Sequence, residues 1–176
     1  VIAYDPYMRP GTEKVFGVEM VSFEELLSTS DVVSLHTPLT KETEDLIDND
    51  ALSRMKSDSI LVNTSRGSVV NTAALAKALR SGKIAAAGID VLPIEPASED
   101  EPLIQLWREA DETNVNLIIT PHTAFYSAEA MLEIRTKTAM EVARALRGEK
   151  LVNCVNSQWL SNDVRRRVLV GIPPTL

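Results

Sequence analysis

Short apolar segments of strand length alternate with helical patterns along nearly the whole chain, and this alternation strongly restricts the possible folds. Chains with this pattern fold as α/β proteins in which helices cross between parallel strands. The strand segments are apolar at successive positions, as expected of a sheet covered on both faces. The sequence therefore predicts a doubly wound α/β fold. The predicted strands are 1–4, 31–35, 59–62, 85–91 and 115–120.

Helix signals occupy the intervals between these strands. Ser22 and Glu25, three positions apart, form a capping box. Asn71 is a second N-cap, and its helix ends before Gly82. A long final helix carries an apolar stripe at helical spacing and stops at Gly148. The predicted helices are 22–28, 49–55, 71–79, 103–110 and 127–146.

The composition limits the classes of function. With 176 residues, 44% of them hydrophobic, the chain is long enough to bury one core. A formal net charge of −7 argues against a nucleic-acid partner, because surfaces that bind phosphates carry basic residues. No apolar run approaches the roughly 18 residues of a membrane-spanning helix. A single cysteine and no secretory signal favour the cytoplasm.

Three polar residues follow three successive predicted strands. Arg66 comes after the third strand, Glu95 after the fourth and His122 after the fifth, at spacings of 29 and 27 residues. These spacings match one strand-helix-strand repeat, so the residues reach the same edge of a parallel sheet. Ligands of open α/β sheets bind at that edge. A guanidinium, a carboxylate and an imidazole there indicate an acid/base site.

Two aspartates also end predicted strands. Asp5 follows strand 1–4, the place of the acid that holds the adenosine ribose in a dinucleotide-binding unit. A carboxylate at this place repels a 2′-phosphate and so favours NAD over NADP. Asp90 can accept a hydrogen bond from a carboxamide at the sheet edge. Asp5, Arg66 and Glu95 each have a plainer explanation too, as ordinary turn or surface residues.

Five motifs occur in an order that resembles one family, the NAD domain of the D-isomer-specific 2-hydroxyacid dehydrogenases, over about residues 1–156. The aromatic pair of HTAFYS and the ending NCVN are most similar to the C-terminal binding protein branch, which includes NAD-sensing transcriptional corepressors. Phe125 stands where those corepressors carry a tryptophan, which favours a dehydrogenase. The motifs are YDPY, LHTPLT, LVNTSRGSVV, GIDV with EP, and ITPHTAFYS.

The resemblance implies an NAD-dependent oxidoreductase that transfers hydride between NAD(H) and a small 2-oxo or 2-hydroxy acid. It implies His122 as the acid/base, Glu95 as its partner and Arg66 as the clamp for the substrate carboxylate. It makes a homodimer plausible when the protein is full length. From the sequence itself we expect no metal site and no membrane partner. The residues implied to contact the cofactor are Asp5, His36, Thr37, Pro38, Leu39, Thr64, Ser65, Arg66, Asp90, His122 and Phe125.

The Rossmann-like sheet expected from these motifs is incomplete. Its strand order is 3-2-1-4-5-6, and the glycine-rich phosphate turn follows the central first strand. Segment 1–4 corresponds to the second strand, so we expect the first strand and the glycine-rich turn to be missing, with most of the substrate domain. Two unpaired strand edges would then favour aggregation of the isolated chain. We expect a partial NAD-binding domain at 1–156 and assign no role to 157–176.

Three functions stay open from the sequence alone. The leading interpretation is a fragment of an NAD-dependent 2-hydroxyacid dehydrogenase, with the fragment itself inactive. The second is an NAD(H)-sensing corepressor of the C-terminal binding protein type, for which a nuclear location is expected. The third is a Rossmann remnant that binds no ligand.

Overall fold

A computed structural model describes residues 1–109, 114–156 and 158. The chain divides into two compact units, Val1–Ala124 and Phe125–Leu176. All predicted strands lie in the first unit. The C-terminal tail predicted at 157–176 lies outside the described residues except for residue 158, and so does the last residue of the helix predicted at 103–110.

The first unit contains two parallel sheets. A two-stranded sheet pairs β1 (Ile2–Ala3) with β2 (Glu19–Met20). A four-stranded sheet has the order β3-β4-β5-β6, formed by Val32–Leu35, Ile60–Asn63, Ala86–Ile89 and Leu117–Ile119. Five of these six strands are the predicted ones, shortened at their ends, and all pairings are parallel. The chain thus has a Rossmann-like α/β fold, as the alternation predicts.

Helices cover one face of the four-stranded sheet. The four helices from Phe23–Thr29 to Pro102–Arg108 form a layer in which each helix contacts the next along the chain. This layer and the facing side chains of the sheet enclose the core, whose fully buried members include Leu27, Leu61 and Leu75. The helices are α1 (Thr12–Phe16), α2 (Phe23–Thr29), α3 (Asn49–Arg54), α4 (Thr72–Arg80) and α5 (Pro102–Arg108).

The N-caps read from the sequence are present in the structure. The Ser22 hydroxyl accepts the Glu25 N–H, and the Asn71 side chain accepts the Ala74 N–H at 2.9 Å. Each cap satisfies a backbone donor that the first helical turn leaves without a partner. The starts of α2 and α4 are therefore fixed locally.

The opposite face of the four-stranded sheet is open to solvent. Val32 is 55% exposed, Ile60 38% and Ile118 63%, although all three belong to apolar strands. The prediction of a sheet covered on both faces is therefore fulfilled on one face within the described residues. The apolar residues of the strands led to the expectation that both faces are buried. Whether a face is buried also depends on which other segments of the protein pack against it.

The sheet is interrupted between β1 and β3. β1 pairs with β2, and β3 pairs with β4 and forms an edge of its sheet. This is the gap expected if the central Rossmann strand belongs between them. The sequence analysis missed α1, β2 and a short 3-10 helix at Gly67–Val69. These elements have two to five residues, too few for a hydrophobic period to be visible.

The second unit contains one long helix, α6 (Ala128–Arg147). It begins after Ser127, whose hydroxyl accepts the Ala130 N–H, and ends at Gly148 with φ 67°. Its boundaries agree with the prediction to within one residue, and its apolar side chains are largely exposed. Leu132 is 69% exposed and Leu146 79% exposed, and no residue of α6 is buried.

None of the described helices has the combination of length and apolar character needed to cross a membrane.

Candidate active site

The carboxyl ends of β4, β5 and β6 lie side by side. Asn63, at the end of β4, is in register with Ile89 at the end of β5, and Ile89 with Ile119 in β6. Backbone hydrogen bonds extend the ladder past the strands, from the Asp90 N–H to the Asn63 carbonyl and from the His122 N–H to the Asp90 carbonyl, both at 2.9 Å. The predicted strand-end residues therefore start from one edge of the sheet.

His122 and Glu95 form a direct pair. His122 Nδ1 lies 2.6 Å from Glu95 Oε2, across 27 residues of sequence. The other oxygen, Glu95 Oε1, accepts the Leu92 N–H at 2.9 Å. With one oxygen held by the backbone, the carboxylate is fixed in the orientation that meets the imidazole. About two-fifths of each side chain is exposed, so the pair is accessible to a ligand.

The electrostatics of Glu95 favour its charged form. The hydrogen bond from His122 lowers the pKa of the Glu95 carboxyl by more than burial raises it, and the Leu92 N–H lowers it further. Glu95 therefore stays a carboxylate to lower pH than an ordinary glutamate. A lasting negative charge at this distance fixes the orientation of the imidazole.

Asp90 holds the turn that carries His122. Its Oδ1 accepts the Thr120 hydroxyl and the Thr123 N–H at 2.9 Å, and its Oδ2 accepts the Ala124 N–H at 3.0 Å. Burial alone would raise the pKa of this 4%-exposed carboxyl, but the hydrogen bonds outweigh it and the pKa lies below its ordinary value. Asp90 is thus a buried, ionised anchor for residues 120–124.

The backbone of His122 has φ 52°, in the left-handed region that costs energy for a residue with a side chain. Its N–H is donated to the carbonyls of Asp90 and Thr120, at 2.9 and 3.0 Å. The N–H groups of the next two residues, Thr123 and Ala124, donate to the Asp90 carboxylate and close the turn. This network supplies the interactions that keep His122 in an unfavourable conformation at the end of β6.

Arg66 lies on a turn shaped by the buried side chain of Asn63. Asn63 Nδ2 donates to the Arg66 carbonyl at 2.9 Å, and Asn63 Oδ1 accepts both the N–H and the hydroxyl of Ser65. Asn63 is 0% exposed, so these bonds are made away from water. Arg66 itself is exposed and donates from Nη1 to the Ser65 carbonyl at 2.6 Å. Thr64, between them, is also exposed.

A second group of predicted residues gathers around the loop after β3. Tyr7, in the turn after β1, donates its N–H to Asp5 Oδ1 at 2.8 Å, and its hydroxyl bonds to Glu42. The hydrogen bond with Glu42 raises the pKa of the Tyr7 hydroxyl, because the nearby carboxylate disfavours a second negative charge. The Asp5 turn and the loop 36–42 are therefore joined, as expected of two segments that flank one part of a ligand.

Within that loop, the four predicted residues have different environments. His36 Nε2 lies 2.9 Å from the Ser34 hydroxyl, and the Pro38 carbonyl accepts the Thr43 hydroxyl at 2.6 Å. Leu39 is 46% exposed. Thr37 Oγ1 is buried without a hydrogen-bond partner among the described residues. A buried hydroxyl without a partner lowers the stability of the fold unless a ligand or a water molecule forms a hydrogen bond with it.

Phe125 begins the second unit. Its ring lies 6.4 Å from that of Tyr126 at an interplanar angle of 69°, an edge-to-face arrangement.

The family model for the NAD-binding domain of D-isomer specific 2-hydroxyacid dehydrogenases matches residues 1–124. The chain belongs to this family. The match covers the whole first unit and ends where the second begins.

Curated relatives in this dehydrogenase family are similar to the chain over most of its length. A D-3-phosphoglycerate dehydrogenase of Mycobacterium leprae is 42% identical over 156 residues, which are 89% of this chain and 28% of that protein. A glyoxylate reductase of Korarchaeum cryptofilum is 44% identical over 158 residues, 90% of this chain and 45% of that protein. The chain thus spans less than half the length of these relatives.

Solved dehydrogenase structures show the same fold. A D-lactate dehydrogenase from Aquifex aeolicus, complexed with NAD and lactic acid, aligns with a TM-score of 0.73 and 36% identity over 85% of this chain and 46% of that chain. The D-lactate dehydrogenase with NAD⁺ from Lactobacillus jensenii aligns with a TM-score of 0.72 and 33% identity. By name, three of these four relatives are dehydrogenases and the fourth is a reductase, and none of the four is a corepressor.

NAD is the cofactor of the family, and the chain is consistent with it. Asp5 stands at the end of β1 with one carboxylate oxygen bonded to Tyr7, as a ribose-binding acid would. The buried hydroxyl of Thr37, which has no hydrogen-bond partner among the described residues, lies in the loop after β3. The same loop contains Glu42, whose hydrogen bond with Tyr7 joins it to the Asp5 turn. Both features have room for further hydrogen bonds that a dinucleotide supplies.

The sequence analysis missed the residues that support these side chains. Asn63, Leu92 and Thr120 are not among the predicted site residues, although Asn63 and Thr120 lie inside quoted motifs. Asn63 carried a usable signal, because an asparagine that ends an apolar strand and precedes Thr and Ser is typical of an Asx turn. Leu92 and Thr120 act through backbone and hydroxyl contacts with residues far away in sequence, which no local pattern indicates.

Proposed function

We propose that the protein, at its full natural length, is an NAD-dependent dehydrogenase that interconverts a small 2-oxo acid and its 2-hydroxy acid. The observation that carries the proposal is the His122–Glu95 pair at 2.6 Å, placed at the carboxyl edge of a parallel sheet. Fold and family support the reaction class. The roles below belong to residues of this chain.

Arg66 binds the substrate carboxylate. Its guanidinium is exposed at the end of β4, and the Asn63 bonds fix the turn from which it extends. A planar guanidinium fork matches a carboxylate with two parallel hydrogen bonds. The clamp orients the substrate so that its carbonyl faces the imidazole.

His122 gives the proton to the carbonyl oxygen of a 2-oxo acid as it becomes a hydroxyl, and takes it back in the reverse direction. Its Nδ1 faces Glu95, so Nε2 is the nitrogen that transfers this proton. Glu95 holds the ring in one orientation and stabilises the protonated form. When bound, NADH supplies the hydride for the carbonyl carbon.

Asp90 accepts three hydrogen bonds from the chain and keeps capacity for one more donor, such as the nicotinamide carboxamide.

The adenosine side is formed by Asp5 and the loop 36–42. Asp5 accepts ribose hydroxyls, and His36, Thr37, Pro38 and Leu39 line the base. Thr64 and Ser65 contact the cofactor next to Arg66. The dimer and the cytoplasmic location belong to the same proposal, supported by the resemblance and by the single cysteine.

The two histidines of the chain offer a contrasted test. We expect His122→Ala to lower kcat for reduction of glyoxylate or pyruvate by roughly 10²- to 10⁴-fold with little change in NADH affinity. His36→Ala should instead weaken NADH binding and leave kcat nearly intact. Steady-state kinetics and NADH fluorescence titration measure the two effects. Unchanged turnover in His122→Ala would contradict the assignment of His122.

The corepressor alternative predicts that the protein binds NADH and reduces no 2-oxo acid. The dehydrogenase proposal predicts that a panel of 2-oxo acids, including glyoxylate, pyruvate and a phosphorylated hydroxypyruvate, contains at least one that oxidises NADH with the unmodified protein. If NADH binds tightly and none of the panel is reduced, the dehydrogenase proposal fails and a sensor of NAD(H) is favoured. If NADH does not bind at all, both proposals fail.

A further inference from the structure

We propose that Gly67 is a positioning residue of the site, and that the absence of its side chain sets the place of the Arg66 turn relative to the Glu95–His122 pair. The inference rests on the proposed function, which makes Arg66 the carboxylate clamp and His122 the acid/base. Neither the family match nor the polar residues of the motifs indicate this role.

The backbone of Leu92 and Pro93 passes directly over the Cα of Gly67. A Cβ built on Gly67 would lie 2.0 Å from the Leu92 carbonyl carbon, 2.2 Å from its oxygen and 2.3 Å from the Pro93 nitrogen. All three atoms are backbone, so no side-chain rotation relieves the overlap. Any other amino acid at position 67 therefore requires one of the two segments to move.

The need for glycine here comes from space and not from backbone conformation. Four other glycines of the chain have positive φ, but Gly67 does not. Gly67 is buried and starts the 3-10 helix Gly67–Val69, directly after Arg66. An L-residue would fit its φ and ψ, so the close approach of residues 92–93 is what excludes a side chain.

The turn on the Arg66 side cannot easily move. The Arg66 carbonyl accepts from Asn63 Nδ2 at 2.9 Å, and the Ser68 and Val69 carbonyls accept the N–H groups of Asp45 and Ile47 at 2.8 and 3.0 Å. Asn63 and Val69 are fully buried. These bonds tie the turn to the β4 end and to the loop before α3.

The segment on the other side leads to the acid/base pair. The Leu92 carbonyl lies against Gly67, and the N–H of the same residue donates to Glu95 Oε1 at 2.9 Å. Glu95 Oε2 in turn meets His122 Nδ1. Pro93 and Glu95 are exposed, in contrast to the buried turn. A methyl group at position 67 would therefore displace residues 92–95 and disturb the carboxylate that orients His122.

The test compares Gly67→Ala with Ser68→Ala in the protein at its full natural length. Ser68 is the next residue of the same 3-10 helix, and its carbonyl, which bonds to Asp45, survives the substitution. We expect Gly67→Ala to lower kcat/KM for the 2-oxo acid by about 10- to 100-fold, since displacements near 1 Å have effects of that size. It should also move the alkaline limb of the pH-rate profile to lower pH, the direction that we expect for Glu95→Gln as well. Ser68→Ala should change neither.

A double variant shows whether Gly67 acts through Glu95. If it does, Gly67→Ala in a Glu95→Gln background shifts the pH-rate profile no further, because the two changes remove the same interaction. Binding of the 2-oxo acid mimic oxamate to the NADH complex, followed by fluorescence, gives a readout without turnover and should weaken in Gly67→Ala. A Gly67→Ala profile that coincides with the parent profile would overturn the proposal.

Pro93→Gly is the second variant if Gly67→Ala fails to fold. It keeps the contact with Gly67 but loosens the segment that carries Glu95, so it should shift the alkaline limb in the same direction by a smaller amount. An unmoved profile in Pro93→Gly would then overturn the proposal. Failure of the proposed function is distinguishable, since it would show as a parent protein that reduces none of the 2-oxo acids.

Discussion

At the scale of the residue, the site depends on charged side chains that the backbone holds in fixed orientations. Glu95 is bonded to Leu92 and Asp90 to Thr123 and Ala124, so each carboxylate meets N–H groups of a loop. Such bonds favour the ionised form and immobilise it. The consequence is a site whose charges are set before a ligand binds.

The Glu95–His122 pair predicts a pH dependence. Because the Glu95 carboxylate holds the imidazole that donates the proton, we expect reduction by Glu95→Gln to fade at a lower pH than reduction by the parent protein. pH-rate profiles of kcat measure this difference. Glu99→Gln, an exposed neighbour paired with Arg108, is the control; an unmoved profile in Glu95→Gln would speak against the pairing.

Asp90 predicts a stability effect with a definite sign. Its folded-state pKa is depressed, so its contribution is present above the pKa of the unfolded carboxyl, about 3.9, and is lost as pH falls through the folded value. Asp90→Asn should therefore cost about 1–3 kcal/mol at pH 7 and flatten the loss of stability in acid.

Urea unfolding of the full-length protein at pH 7 and at acid pH measures both effects of Asp90→Asn. Asp100→Asn, at an exposed position, serves as the matched control. Equal stability of the two variants at pH 7 would contradict the anchoring role of Asp90.

At the scale of the element, helix starts are determined by short sequence signals and are testable one at a time. Asn71 accepts the Ala74 N–H and caps α4, whose Leu75 and Leu79 pack in the core. Asn71→Ala should lower the free energy of unfolding by about 1 kcal/mol, the usual contribution of an N-cap. Thr72→Ala, one residue later and without the cap bond, should have a smaller effect. A cost for Thr72→Ala that equals that of Asn71→Ala would argue against capping.

Sequence signals of this kind located most elements, but not all of them. The strands β3 to β6 and the helices α2 to α6 agree with the predictions to within a few residues, because each has a cap, a stop or an apolar run. The two-residue strand β2 has none of these. It exists because its backbone pairs with β1, a contact between residues 17 positions apart, Ile2 with Glu19 and Ala3 with Met20.

At the scale of the whole molecule, apolar strand positions remain uncovered. Val32, Ile60 and Ile118 are exposed on one face of the four-stranded sheet, and β3 forms its edge. Contiguous apolar surface and open strand edges favour association. We expect the isolated 176-residue chain to self-associate with rising concentration, as measured by light scattering coupled to size-exclusion chromatography.

A matched pair of variants tests which surface drives that association. Ile118→Thr replaces a 63%-exposed residue of the open sheet face and should reduce it. Val15→Thr replaces an 81%-exposed residue of α1 and should leave it unchanged. A chain that stays monomeric at every concentration would refute the prediction.

The sequence by itself determined the α/β class, the order of the main elements and the family, because these depend on local periodicity, caps and motif order. It also placed Arg66, Glu95 and His122 at one sheet edge, since parallel strands repeat at a regular spacing. Only the tertiary structure decided that Glu95 reaches His122, that Asp90 anchors the turn at 122–124 and that Gly67 must lack a side chain. Those facts depend on distances between segments about 25 or more residues apart, and such distances follow from packing of the whole first unit.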